Sequence, residues 1–182
     1  MADEPTVQLV PETRMTADLD ARIRATLVAC FPKDEGVFSR TRAWHGSAPA
    51  FSAVAGDATT IIAHVGAVDR TIKIGGTPLR VAGIQNVAVR PEHRRRGLMR
   101  QLLAAAMDHA RAQGYDAGLL FTGPELTAAY GRCGWQSLAG RKITRVDEQG
   151  RAHTMGSDYA LWYALAVSRL PDGPIDLNGN DW

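Results

Sequence analysis

The first regular pattern in the chain is a run of apolar residues spaced near every 3.6 positions, which predicts an amphipathic helix. Its apolar members are Leu19, Ile23, Leu27 and Phe31. The helix is expected to open at Thr16 or Asp18, since both residue types cap helices well. It ends before Pro32, because the residue before a proline disfavours helical backbone. Residues 7–12 ahead of it carry a short strand signal.

The middle of the chain is rich in β-branched residues and predicts strands. Strands are expected at 51–56 and 79–90, and the run 59–76 is long enough for one bent strand or for two. Glycine and aspartate turns between these segments favour an antiparallel meander. The polar segment 33–50 before them is expected to be a loop with a short helix.

The period returns to that of a helix over residues 97–114, where Gly114 provides the C-terminal stop. The apolar face of this helix consists of Leu98, Leu102, Ala105 or Ala106, and Ala110. The remaining predicted elements are a strand within 115–123, a short helix within 124–134, and strands within 135–146 and 159–167.

These elements predict an α/β (α+β) fold in a single domain over residues 1–182, with a mixed, mostly antiparallel sheet and helices on both faces. The last fifteen residues, 168–182, contain many Pro, Gly and Asn residues, and we expect them to form an irregular tail.

Composition excludes several classes of protein. Apolar residues make up 45% of the chain and charged residues 22%, as in an ordinary globular protein. The first ten residues have no apolar core for a secretory signal, and no apolar run reaches the ~20 residues of a membrane span. We therefore expect a soluble, cytoplasmic protein without a membrane partner. The two cysteines, Cys30 and Cys133, lie far apart and are not at metal-ligand spacing, so no metal site is expected.

The net charge of +2 is too near neutral for a general nucleic-acid binder, but one cluster of charge is dense. Between Arg90 and Arg100 the chain has five arginines and one acid, Glu92. This cluster joins a predicted strand to a predicted helix, whose N-terminus attracts anions. Gly97 would let the backbone approach a ligand closely. A pyrophosphate site, a solvated arginine run and a nucleic-acid patch all fit this pattern.

The segment Arg94-Arg95-Arg96-Gly97-Leu98-Met99 resembles the acetyl-CoA loop of the GNAT N-acetyltransferase superfamily, commonly written Q/R-x-x-G-x-G/A. Arg94 and Gly97 match the first and fourth positions, and Met99 replaces the small residue usual at the sixth. The later AAYGRCGW is similar to the superfamily motif in which a Tyr precedes a Gly-aromatic pair. The resemblance implies a sheet that splays at an acyl-CoA site.

Other segments resemble two narrower groups, the nodulation N-acyltransferases and the aminoglycoside 2′-N-acetyltransferases. These segments are SRTRAWHGSAP, IAHVGAVDRTIKIGGTPLRVAG and PDGPIDLNGNDW. The resemblance implies N-acylation of an amino sugar or a similar hydrophilic amine, with acetyl-CoA as co-substrate.

The resemblance also implies roles for individual residues. Val87, Ala88 and Val89 would offer backbone groups to the pantetheine arm. The pyrophosphate would be held by Arg94, Arg95, Arg96, Gly97, Leu98 and Met99. Tyr130 matches the general-acid position, and a phenol with a pKa near 10 is a suitable proton donor to a leaving thiolate. Tyr130 could instead be a core aromatic.

The base is less evident, because Gln85 and Asn86 stand where many members of the superfamily have a Glu on the strand, and an amide is not a useful proton acceptor. His64 titrates in a suitable range, although a lone His in an apolar strand is more often structural. In the aminoglycoside enzymes the C-terminal carboxylate approaches the amine, which makes Trp182 a second candidate. A frayed terminus is the alternative.

We expect the acceptor to be a small-molecule amine held by acidic residues and by Gln85. The acids expected to form this rim are Asp34, Glu35, Asp172, Asp176 and Asp181. Solvated surface charge is the alternative for Asp34 and Glu35.

Three functions stay open at this point. A CoA-dependent N-acetyltransferase is favoured, with a GNAT-fold protein that binds acyl-CoA without catalysis as the alternative. A nucleic-acid-binding domain that uses the Arg90–Arg100 cluster is disfavoured by the low net charge. The oligomeric state is also open, and a homodimer is one arrangement.

Overall fold

A computed structural model describes residues 6–182. Its α-helices are α1 (Ala17–Cys30), α2 (Glu35–Phe38), α3 (Leu98–Ala112) and α4 (Pro124–Gly131). Its strands are β1 (Val7–Pro11), β2 (Phe51–Gly56), β3 (Ile61–Ile74), β4 (Thr77–Val89), β5 (Ala117–Phe121), β6 (Gln136–Ser137), β7 (Ile143–Val146), β8 (Ala152–Met155), β9 (Ala160–Ala164) and β10 (Ile175–Asp176). No helix among these residues is long and apolar enough to cross a membrane.

All ten strands belong to one sheet, with β4 near its middle. Strands β2, β3 and β4 pair antiparallel in chain order, which confirms the predicted meander. Strand β1 adds to it by pairing antiparallel with β2. The crossover through α3 then makes β4 and β5 parallel. Strand β9 pairs antiparallel with both β5 and β6. The sheet is thus mixed and mostly antiparallel, as the sequence predicts.

The two long helices cover opposite faces of this sheet. Successive side chains of a strand point to opposite faces, and on β2 the side chains of Ala53 and Ala55 pack in the cluster that contains α3. Val54 between them packs with Ile23 and Leu27 of α1. Thr16 caps α1, since its hydroxyl accepts a hydrogen bond from the Leu19 N–H at 3.2 Å.

The structure corrects the prediction that residues 168–182 have no regular structure. Residues Ile175–Asp176 form β10, which lies between β3 and β7. Ile175 is buried, and its N–H donates to the carbonyl of Lys142 at 2.8 Å. The sequence did not predict this two-residue strand, because prolines and glycines on either side of it are typical of irregular structure. The run 59–76 forms one strand, β3, and β8 was not predicted.

Candidate active site

The central strands β4 and β5 separate part of the way along their length. Their pairing ends where Ile84 lies opposite Leu120. Beyond this point β4 continues to Val89, whereas β5 ends at Phe121. Within residues 6–182 no strand pairs with that edge of β4 after Ile84. Its backbone N–H and C=O groups are therefore available to a ligand, and the expected splay is present.

A β-bulge lies on the same part of β4. Between the pairs Gly66–Gln85 and His64–Ala88, β4 has one residue more than β3, which is the arrangement that defines a bulge. Asn86 lies within it and has a φ of 53°. This left-handed backbone is uncommon outside glycine, although Asn adopts it more readily than most residues.

The loop between β4 and α3 brings backbone N–H groups together. Arg95 has a φ of 62° and Gly97 a φ of 77°. Such changes in backbone hand turn successive N–H groups toward a common side, which makes a concavity for an anion. No side chain among the described residues caps α3 at Gly97. The first N–H groups of α3 thus have no partner in the helix and add partial positive charge at this point.

The larger of two adjoining clefts, of about 750 Å³, lies between the free edge of β4, this loop and α4. It is lined by all but one of the expected cofactor residues, namely Val87, Ala88, Val89, Arg94, Arg95, Gly97, Leu98 and Met99. The exception is Arg96, which is exposed outside the lining. Both cysteines, Cys30 and Cys133, also line this cleft.

Tyr130 lies where the larger cleft meets the smaller one. It lines both of them and is 5% exposed. Its ring packs edge-on against Trp135, with the ring centroids 6.3 Å apart. Burial raises the pKa of Tyr130 above its ordinary value, and the nearby Cys133 raises it further. The phenol is therefore held protonated at neutral pH.

The smaller cleft, of about 220 Å³, has mainly aromatic and aliphatic walls. Its aromatic members are Phe31, Phe38, Trp44, Phe121, Tyr130 and Trp182. Most of them come from elements that are distant in sequence. No sequence motif indicated that Phe31 or Phe121 would line this cleft. The shared members of the two clefts are Phe31, Val87, Leu126 and Tyr130, so the clefts are continuous.

The Trp182 indole is docked against β4 and not frayed. It is 4% exposed and lies over Gly83, where a Cβ atom would overlap the indole. The indole N–H donates to the Leu119 carbonyl at 3.4 Å, and the Arg70 guanidinium lies 5.3 Å from the ring centroid. Trp182 and Tyr130 thus line the same cleft.

Hydrogen bonds tie the segment before Trp182 to the loop at 45–47. The Asp181 carboxylate lies 2.8 Å from the His45 ring and 3.7 Å from Arg145. The Ser47 hydroxyl donates to the Asp181 carbonyl at 2.9 Å. The Asp181 carboxylate is therefore paired with His45 and Arg145 of the protein, and does not line either cleft.

Gln85 lines the smaller cleft, but its amide is used to hold the adjoining loop. Its Oε1 accepts from the Trp44 N–H at 3.0 Å, and its Nε2 donates to the Ser47 carbonyl at 2.8 Å. Gln85 is 4% exposed. Its contacts therefore position Trp44 in the cleft wall.

The acids expected to form one rim do not lie together. Asp34 lines the smaller cleft, whereas Glu35 is exposed beside it and is not part of the lining. Asp176 pairs with Lys73 near the far end of β3, and Asp172 lies at the turn after β3. The length of β3 thus separates these carboxylates from the cleft.

His64 is fully buried in β3, with 0% exposure, and both of its ring nitrogens have protein partners. Burial lowers the pKa of His64 to about 4, and the Arg42 charge adds to this effect. The structure does not bring His64 into either cleft. Within residues 6–182 no group of His, Cys, Asp or Glu is arranged to hold a metal ion.

Comparison with curated proteins finds partial relatives. The chain is 34% identical to Nodulation protein A from Bradyrhizobium elkanii over 101 residues, which cover 50% of this chain and 48% of that protein. It is 41% identical to Nodulation protein A from Rhizobium meliloti (strain 1021) over 61 residues, or 34% and 31% of the two chains. The chain thus spans about half or less of the length of these relatives.

Solved structures share the fold at low identity. The GNAT family N-acetyltransferase YhbS from Escherichia coli, in complex with CoA, aligns with a TM-score of 0.68 and 21% identity, over 97% of this chain and 92% of that one. A GNAT family acetyltransferase from Brucella melitensis, in complex with acetyl-CoA, aligns with a TM-score of 0.63 and 18% identity, over 94% and 96%.

A family model gives the assignment. The model described as an acetyltransferase (GNAT) domain matches residues 14–138, which is more than half of the chain. This match includes the splayed part of β4, the loop before α3 and Tyr130. The resemblance inferred from the sequence is confirmed, and the chain belongs to the GNAT acetyltransferase family.

Proposed function

We propose that this protein transfers an acetyl group from acetyl-CoA to the primary amine of a small molecule by direct attack. The observation that carries this proposal is the meeting of two clefts at one phenol. The larger cleft has a free strand edge and a basic loop along its walls, the smaller one is walled by aromatic rings, and Tyr130 lines both. Acceptor and donor would therefore come together at Tyr130.

The larger cleft supplies the binding groups that CoA requires. The N–H groups at the start of α3 and in the loop before it would hold the pyrophosphate, with Arg94 and Arg95 adding charge. The free backbone edge of Val87–Val89 would pair with the pantetheine amides in the manner of an added strand. Holding the thioester in this way fixes its carbonyl beside the smaller cleft.

The chemical step then needs one proton delivered and one removed. The amine nitrogen forms a bond to the thioester carbonyl carbon, and the bond from that carbon to sulfur breaks. Tyr130 gives its proton to the departing sulfur, and its raised pKa keeps that proton in place until then. The acceptor ammonium loses one proton to water before attack, and its nitrogen loses a second proton to water once the bond to carbon has formed. Tyr130 regains its proton from water. Asp34, on the wall of the smaller cleft, attracts the ammonium form of the acceptor.

We propose an amino sugar as the acceptor, with its amine directed at Tyr130. The indoles of Trp44 and Trp182 provide flat apolar faces against which a sugar ring stacks. The partial relationship to Nodulation protein A and the resemblance to the aminoglycoside enzymes favour the same class.

One observation favours a second acceptor class, an amine on an apolar body. Most of the residues that line the cleft are aliphatic or aromatic, and the polar side chains of Gln85 and Asn86 are occupied by bonds to the protein. An acceptor with many hydroxyl groups would find few partners there. Initial rates for glucosamine and for phenethylamine at equal concentration decide between these classes.

Calorimetric titration with CoA tests the assignment of the larger cleft. Gly97→Asp places a carboxylate where backbone N–H groups would meet the pyrophosphate, and we expect it to weaken CoA binding at least tenfold. Gly76→Asp is the matched control, since Gly76 also has a positive φ and open space around it, but lies in the β3–β4 turn. Equal CoA affinity in the two variants would mean that the site lies elsewhere, and binding of DNA but not CoA would favour the nucleic-acid alternative.

A further inference from the structure

A chain of hydrogen bonds runs through the protein interior to the bulge of β4. An Arg42 N–H donates to the Ser52 hydroxyl at 3.3 Å, and this hydroxyl lies 3.1 Å from Nε2 of His64. On the other side of the ring, Nδ1 of His64 lies 2.9 Å from the carbonyl of Asn86. Arg42, Ser52 and His64 are all buried.

The chemistry of the two ends fixes the direction of the first and the last bond in this chain. A guanidinium can only donate, and a backbone carbonyl can only accept. Nδ1 of His64 must therefore carry the proton that is donated to Asn86. Burial lowers the pKa of His64 to about 4, so Nε2 is unprotonated at neutral pH. The Ser52 hydroxyl can then donate to Nε2 while one of its lone pairs accepts from Arg42. The ring is thus held neutral in one tautomer and one orientation.

Arg42 also holds the bulge through the side chain of Asn86. The Asn86 side-chain amide donates to the Arg42 carbonyl at 2.7 Å. Arg42 is itself anchored by ion pairs with Glu12 and Asp20, each at 2.6 Å. The left-handed backbone of Asn86 therefore has both its carbonyl and its side chain fixed by buried partners, which is what a strained conformation requires to persist.

We propose that His64 is a positioning residue, which holds the Asn86 bulge and thereby aims the free backbone edge at Val87–Val89 toward the CoA cleft. Asn86 comes directly before that edge, so its backbone angles set the direction in which the following N–H and C=O groups point. In this account His64 contacts neither donor nor acceptor, and its lowered pKa agrees with a permanently neutral ring. The proposal rests on the proposed function in that CoA is the ligand of this edge.

Two substitutions that differ in where they place an amide test this role. In His64→Asn the amide nitrogen is bonded to Cγ, as Nδ1 is in histidine. This variant therefore retains an N–H that can donate to the Asn86 carbonyl. His64→Gln places its nitrogen one bond further out, near Nε2, and loses that donor. We expect His64→Gln to raise the Kd for CoA about tenfold. We expect His64→Asn to stay within about threefold of the unmodified protein, with the acceptor KM little changed in both.

The result distinguishes positioning from both alternatives. If His64 only stabilised the fold, the two variants would lower Tm without a selective change in CoA affinity, and that outcome would overturn the proposal. If His64 were the base, His64→Asn would lose kcat and the acidic limb of its pH profile, whereas we expect a profile of unchanged shape.

A second variant covers the case in which His64→Gln does not fold. Ser52→Ala removes the bond to Nε2, and we expect it to raise the CoA Kd about threefold at an unchanged acceptor KM. Unchanged CoA affinity in folded Ser52→Ala would then overturn the proposal. Failure of the unmodified protein to bind CoA would instead refute the proposed function, so the two failures are separable.

Discussion

Removal of the Tyr130 hydroxyl is the most informative single change in the proposed active site. Tyr130→Phe keeps the ring that packs against Trp135 but removes the hydroxyl that we propose as the proton donor to the departing sulfur. General acids contribute roughly 10²- to 10⁴-fold to rate, so we expect kcat to fall by about that factor. This corresponds to roughly 3–5 kcal/mol of transition-state stabilisation.

Binding and stability should change little in the same variant. The ring is 5% exposed, and its contacts are retained in phenylalanine. We expect the CoA Kd to stay within about twofold. The free energy of unfolding should change by less than about 1 kcal/mol, so Tm should shift by no more than roughly 2–4 °C. The assay combines steady-state kinetics of CoA release with calorimetry and thermal unfolding.

Tyr115→Phe is the matched control for Tyr130→Phe. Tyr115 is 3% exposed, so it is as buried as Tyr130, and burial raises its pKa to about 12. It packs against Phe51 and beneath the Arg80 guanidinium instead of lining either cleft. It should retain kcat. Equal kcat in Tyr130→Phe and the unmodified protein, with single-turnover data showing that chemistry limits the rate, would refute the role of Tyr130.

Three further predictions concern the cleft walls and the core. Trp182→Ala should lower the free energy of unfolding by about 3–5 kcal/mol and raise the acceptor KM without changing the CoA Kd. Tyr159→Ala is its control, since Tyr159 is 46% exposed, and its free energy of unfolding should stay nearly unchanged. Because burial lowers the pKa of His64 to about 4, the unfolded state binds a proton first as pH falls from about 6.5. Urea unfolding should therefore show stability lost between pH 6.5 and 4, and His64→Asn should flatten this dependence. Finally, saturating CoA should slow maleimide labelling of Cys30 and Cys133, which both line the larger cleft, and labelling rates unaffected by CoA would contradict that placement.

Local patterns in the sequence predicted most of the fold. The period of apolar residues located α1 and α3, because each helix buries one face against the sheet. The strand-loop-helix junction at Arg94–Met99 was also visible, since a basic loop with a glycine directly before an apolar helix is a local pattern. These features depend on neighbours in sequence.

Features that depend on distant contacts were not visible. Nothing near Asn86 signals a bulge, because its partners Arg42 and His64 come from other elements. Gln85 lines the smaller cleft, but nothing in the sequence indicated that Trp44 and Ser47, 41 and 38 residues earlier in the chain, bond to its amide. The expected acidic rim does not form for a related reason. Asp172 and Asp176 lie at the end of β3 that is away from the cleft, and the sequence of the tail does not indicate at which end of β3 it packs.

The turnover of acetyl-CoA over a panel of primary amines tests the central claim most directly. The protein is incubated with acetyl-CoA and each amine in turn, and released CoA and the N-acetylated product are quantified by mass spectrometry. We predict that at least one amine gives equal amounts of both products, that amino sugars are among the better acceptors, and that Gly97→Asp slows the reaction at least tenfold at limiting acetyl-CoA. CoA that binds tightly but is never released in proportion to an acetylated amine, for any acceptor in the panel, would contradict the assignment as an N-acetyltransferase.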